Sequence, residues 1–216
     1  MRLAPHSRLL FIGDSITDSG RERKSHASPW EDPGGLGFGY VEFVNAMLQS
    51  RWPERKIRVL NRGLGGNTIR DLAGRWKRDV LDLRPDWLSI KIGINDVWRQ
   101  FDSPRSPHVH VLPEEFQATY RQLLEATRDR LKGLIIISPY HIESDRHDPM
   151  RRRMDEYRKM TQTIASEFDA IYVDSQLEMD RLMEHIAPQL IAEDKIHPNS
   201  IGHMALAQAV CCALES

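Results

Sequence analysis

Five apolar runs, at residues 9–12, 57–60, 87–92, 134–137 and 171–173, are each followed by a stretch whose apolar positions recur at helical spacing. This alternation limits the possible folds more than any other feature. Strands separated by helices do not pair as hairpins; they lie parallel, with helices covering both faces of one sheet. The nearly unbroken apolar character of Leu9-Leu10-Phe11-Ile12 suits a strand buried on both sides. The chain has 216 residues. A chain of this size supports one core that buries roughly 70% of the unfolded surface. With no linker, repeat or change of composition, residues 1–216 read as one α/β domain.

In open parallel sheets, ligands gather at the carboxyl ends of the strands. The first run stops at Gly13 and is followed by Asp14-Ser15-Ile16-Thr17. Taken alone, Ser15 reads more readily as a helix cap than as a reactive hydroxyl. The second run leads into Asn61-Arg62-Gly63-Leu64-Gly65-Gly66-Asn67-Thr68. This glycine turn lacks both phosphate-loop signatures, yet its amides suit a developing negative charge. The third run ends in Gly93-Ile94-Asn95-Asp96, and a late segment reads Asp194-Lys195-Ile196-His197-Pro198. Pro198 disfavours helical geometry at His197, so Asp194 and His197 belong to a loop.

Two long irregular stretches stand out, as long loops inside compact domains often serve function. Residues 19–39 carry Trp30 and Phe38 and are expected to fold over the serine. Residues 97–112 carry Trp98, Phe101, His108 and His110 and are expected to form a second loop. The His108-x-His110 pair has no carboxylate or thiol at matching spacing, and the cluster His141, Glu143, Asp145, His147 and Asp148 matches no known site. No metal is expected. Arg151, Arg152 and Arg153 oppose the dipole of the helix they open and are expected to pair with acids. Cys211 and Cys212, adjacent in the closing helix, read as reduced packing residues.

Charge narrows the partners. Lys and Arg number 30 against 31 for Asp and Glu, a balance that points to neither nucleic acid nor an acidic membrane surface. No apolar run approaches the ~20 residues of a membrane span, and no leader-like stretch precedes the first strand, so a cytoplasmic location is expected. The sequence leaves a homo-oligomer open.

Together, Gly13-Asp14-Ser15-Ile16, Gly63-Leu64-Gly65-Gly66-Asn67, Gly93-Ile94-Asn95-Asp96 and Asp194-Lys195-Ile196-His197-Pro198 resemble the four blocks of the SGNH hydrolases, also called the GDSL esterase/lipase family. The blocks occur in family order. Ile16 stands where the family name implies Leu, a conservative change. The resemblance implies a three-layer α/β/α sandwich with a five-stranded parallel, flavodoxin-like sheet. It also implies a triad of Ser15, Asp194 and His197, with oxyanion donors from the backbone N–H of Ser15 and Gly66 and the side chain of Asn95. No cofactor is implied. Such chemistry needs a base for the serine proton, an acid to orient the imidazole, and donors for the tetrahedral oxyanion.

Residues 11–18, Gly93-Ile94-Asn95-Asp96-Val97-Trp98-Arg99-Gln100 and Asp148-Pro149-Met150-Arg151-Arg152 resemble more narrowly the intracellular acetylxylan esterases, which deacetylate xylo-oligosaccharides. Asp14, Trp30 and Trp98 are the candidate substrate-site residues, Asp14 also as a support of the turn. The alternative is a lysophospholipase or thioesterase acting on longer acyl chains, although no basic amphipathic segment or apolar lid pattern supports it. A non-catalytic carbohydrate-binding protein would have no reason to keep all five groups.

Overall fold

The computed structural model describes residues 1–22 and 35–215. Its strands are β1 (Arg8–Gly13), β2 (Arg58–Gly63), β3 (Trp87–Lys91), β4 (Gly133–Ile137) and β5 (Ile171–Val173). They form one parallel sheet in the order β2-β1-β3-β4-β5. The order reverses between β1 and β3, which opens a crevice at their carboxyl ends, the usual ligand position in such sheets.

The helices are α1 (Ser15–Asp18), α2 (Tyr40–Arg51), α3 (Ile69–Trp76), α4 (Ile94–Asp102), α5 (Pro113–Glu125), α6 (Pro149–Glu167), α7 (Ser175–Met183), α8 (Pro188–Ile191) and α9 (Ser200–Glu215). Helices α2 and α7 pack on α9, whereas α5 packs on α3 and α6, giving a layer on each side of the sheet. Leu9, Leu10, Phe11 and Ile12 are wholly buried, as a doubly covered strand requires. Local sequence explains the helix starts. Thr68 and Asp71 form a reciprocal capping box on α3, and Asp148 caps α6 by accepting the Arg151 N–H at 2.8 Å. Pro113, Pro149 and Pro188 each occupy a first helical position, where no N–H is needed.

The stretch 97–112 departs from expectation. Its first third is helix, because α4 begins at Ile94 directly after Gly93 and runs to Asp102. Two of the three clustered arginines find acids, and among the described residues Arg152 does not. Arg151 is 2% exposed and reaches both Asp180 oxygens at 2.9 Å and Asp155 at 3.1 Å, while Arg153 pairs with Glu156. Among the described residues no group of three His, Cys, Asp or Glu could hold a metal ion, and no helix is long and apolar enough to cross a membrane. Cys211 is buried and Cys212 exposed.

Candidate active site

Strand β1 leaves the sheet at Gly13, where a Cβ would lie 2.2 Å from the Lys91 carbonyl oxygen and 2.4 Å from Thr17 Oγ1. Only glycine permits that approach. Asp14 then caps α1, its Oδ1 accepting the Ile16 N–H at 3.0 Å. Ser15 thereby becomes the first residue of a short helix at the mouth of the crevice.

His197 approaches Ser15 from the loop before α9. Its Nδ1 donates to Asp194 Oδ2 at 2.6 Å, which leaves Nε2 to accept the Ser15 hydroxyl at 2.7 Å. The other Asp194 oxygen accepts the N–H groups of Ile196 at 3.0 Å and His197 at 2.8 Å. Burial works to raise the Asp194 carboxyl, but the bonds from the His197 ring and these two amides outweigh it and hold it below the usual carboxylate range. The loop is pinned from outside. Ile142 N–H donates to the Lys195 carbonyl at 2.9 Å, Tyr140 Oη donates to that of Ile196 at 3.2 Å, and Lys195 pairs with Glu143. The polar segment after β4 thus anchors the histidine loop.

The glycine turn after β2 lies beside Ser15, since a Cβ on Gly65 would sit 3.8 Å from Ser15 Cβ. Gly66 takes a φ of +79° with open space where its side chain would be. Asp18 Oδ2 accepts the Gly65 N–H at 3.2 Å, and Asn67 N–H closes back on Leu64 at 3.3 Å. Asn95, 2% exposed at the start of α4, donates through Nδ2 to the Asn67 carbonyl at 2.9 Å. That bond uses one amide proton and leaves the second for a ligand. Ser15, the Gly66 turn and Asn95 therefore meet at one crevice.

Trp98 lies edge-on to the His197 ring, 6.1 Å between centroids, with the Arg99 guanidinium 5.3 Å over its own ring. Asp14 is different. It is wholly buried, so it presents no surface to a substrate and is corrected from a substrate-contacting residue to a support of the turn. Trp30, and the part of the 19–39 loop expected to fold over Ser15, lie outside the described residues.

Two groups escape a reading by motif. Arg75 of α3, 8% exposed, donates to the carbonyls of Gly13 at 2.9 Å and Arg62 at 2.7 Å and to Asn67 Oδ1 at 2.7 Å, and pairs with Asp79 at 3.0 Å. It ties the ends of β1 and β2 to the glycine turn. Glu193 joins Asp194 and His197 around an open hollow of about 460 Å³. No spacing signal marks either residue.

Residues 11–205 match the GDSL-like lipase/acylhydrolase family model. An acetylxylan esterase of Geobacillus stearothermophilus is 46% identical over 209 residues, 97% of this chain and 94% of that protein. The crystal structure of Axe2, an acetylxylan esterase from the same organism, is 44% identical and superposes with a TM-score of 0.96, covering 100% of this chain and 97% of Axe2. LAE5, an α/β hydrolase enzyme from the metagenome of Lake Arreo, Spain, is 44% identical with a TM-score of 0.95, over 100% of this chain and 98% of its own.

Proposed function

The chain belongs to the GDSL-like lipase/acylhydrolase family, and from that premise we propose that it removes acetyl groups from xylo-oligosaccharides through an acyl-serine intermediate. The protein is a carboxylic ester hydrolase. The observation that carries the mechanism is the continuous relay from Ser15 Oγ through His197 to Asp194. A hydroxyl is a weak nucleophile until its proton is taken, and His197 Nε2 sits where it takes it as Ser15 attacks the ester carbonyl. Asp194 fixes the Nδ1–H tautomer and stabilises the imidazolium. The oxyanion meets the Ser15 and Gly66 N–H groups and the free Asn95 amide proton. His197 then gives the proton to the sugar oxygen as its bond to the acyl carbon breaks, and water, losing a proton to His197, attacks the acyl-serine to release acetate and restore the Ser15 hydroxyl.

Acetyl specificity is supported by the likeness to acetylxylan esterases across nearly the whole chain. Trp98 beside His197 offers an apolar flank for a small acyl group or a stacking face for a sugar ring. We further propose that residues 1–216 act as one catalytic domain in the cytoplasm, on a neutral oligosaccharide ester.

Treatment with an organophosphate should place one phosphonyl group on Ser15 by mass spectrometry, and Ser15→Ala should lower turnover by about 10⁶-fold. Acetate release from acetylated xylo-oligosaccharides should exceed hydrolysis of butyryl and octanoyl esters. A maximum at octanoyl would overturn the acetyl reading, and a fully active Ser15→Ala would overturn the mechanism.

A further inference from the structure

Lys91, the last residue of β3, is wholly buried, and its Nζ has no hydrogen-bond partner. It lies 4.3 Å over the ring of Tyr140. Asp14, beside Ser15, is also wholly buried, with Oδ2 unpartnered. A lone ion in such surroundings is strongly disfavoured, so each needs the other's charge. Register puts them at the same end of the sheet, because Gly13, the residue before Asp14, pairs with Lys91 across the β1–β3 ladder.

We propose that Lys91 is a positioning residue that couples the nucleophile turn to the histidine loop, an inference that rests on the serine-esterase reading above. On one side its charge balances Asp14, whose Oδ1 holds the Ile16 N–H and so shapes the turn carrying Ser15. On the other it lies against Tyr140, whose hydroxyl holds the Ile196 carbonyl next to His197. Lys91 thus stands between Asp14, whose charge it feels, and Tyr140, which holds the histidine loop.

Other charges reach the same volume. Asp14 is felt by His197 from the late loop, Tyr40 of α2, Tyr140 after β4 and Asp96 of α4, and Lys91 by His203 of α9. Burial lowers the Lys91 ammonium to about 8 against the pull of Asp14, so at neutral pH it remains the cation of the pair. Burial raises the Asp14 carboxyl, while Lys91 opposes the rise. Removing Lys91 therefore drives Asp14 toward its protonated form.

The test compares Lys91→Met, Asp14→Asn and the double variant, with 4-nitrophenyl acetate as substrate and active sites counted by organophosphate titration. Each single variant should lose about tenfold to a hundredfold in kcat per titrated site with KM within about twofold, the scale of a small misplacement. The double variant, carrying no uncompensated charge, should lose less than the product of the two. In Lys91→Met the kcat relative to the parent should recover as pH falls and Asp14 takes up a proton, and Asp14→Asn should abolish that recovery. Multiplying effects, or unchanged kcat per titrated site with stability alone reduced, would overturn the proposal. If the single variants fold poorly, the double variant serves, since a neutral pair of similar shape is commonly tolerated. Parent enzyme that does not titrate at Ser15 would instead overturn the underlying reading.

Discussion

Asp194 holds His197 by two kinds of bond at once: Oδ2 takes the ring Nδ1–H at 2.6 Å and Oδ1 takes the backbone N–H at 2.8 Å. The carboxylate therefore sets both the loop and the imidazole tautomer. Asp194→Asn keeps an oxygen for the amides but turns an NH₂ toward Nδ1, which forces the proton onto the nitrogen that must act as base. A loss of about 10⁴-fold in kcat is expected, with the fold intact by circular dichroism. A loss below tenfold would show that Asp194 does not orient the ring.

Gly66 and Asn95 separate geometry from stability. At Gly66 the left-handed φ of +79°, not crowding, opposes a side chain. Gly66→Ala should cost about 1–2 kcal/mol of stability through that strain. A displaced amide should also lower kcat by about 10²- to 10³-fold, and Asn95→Ala should do the same with KM little changed. Single-turnover acylation rates would check both. Loss confined to KM would mean that these groups bind the ground state instead.

Arg75 is the residue on which the strand ends depend. Its guanidinium serves two carbonyls, one side-chain amide and Asp79, all in buried surroundings. Arg75→Met strands these acceptors and should destabilise the protein by about 3–5 kcal/mol in chemical denaturation, as loss of one partner of a buried pair does. A change under about 1 kcal/mol, the worth of an exposed pair, would show that the network is not a structural one.

The sheet was legible because apolar runs and helical spacing are local properties, and the five strands lie at those runs, although β2 continues through Asn61 and Arg62 to Gly63, residues that read as the start of the turn. The candidate triad was legible only through motif order, since Ser15 and His197 stand 182 residues apart and no local pattern joins them. Helix α4 was hidden by Gly93, Asn95 and Asp96, which read as turn residues although Ile94, Val97, Trp98 and Phe101 stand at helical spacing, and Phe101 at the end of that row is left exposed. Arg75 and Lys91 were hidden for a different reason. A cation in a helix or at a strand end reads as solvated, and only the fold supplies the carbonyls, the carboxylate and the ring that hold it inside.

Two buried groups give the stability a pH dependence. Burial raises the Asp96 carboxyl to about 8, with one oxygen on the Ile69 N–H at 2.9 Å and the other unpartnered. Because its folded value lies above its unfolded one, the stability it contributes is full below about pH 4 and is lost as pH rises toward 8. His203 works the other way. Burial, then the Lys91 and His197 charges, lower it to about 4, so the ring is neutral and its Nδ1 accepts the Tyr40 N–H at the start of α2. The unfolded chain takes up that proton first, so stability is lost as pH falls from about 6.5 to 4. Between these two groups the slopes oppose each other below about 6.5 and the Asp96 slope alone remains above it, while the Asp14 carboxyl, also raised by burial, adds to the fall. Each is worth up to about 1.4 kcal/mol per pH unit for a whole proton. Denaturant midpoints from pH 4 to 8 isolate the two contributions when each variant is read against the parent. Relative to the parent, Asp96→Asn should gain stability as pH rises from 4 to 8, and His203→Gln, which supplies an uncharged acceptor, should gain it as pH falls from 6.5 to 4. Parallel profiles for all three proteins would show that neither group titrates across this range.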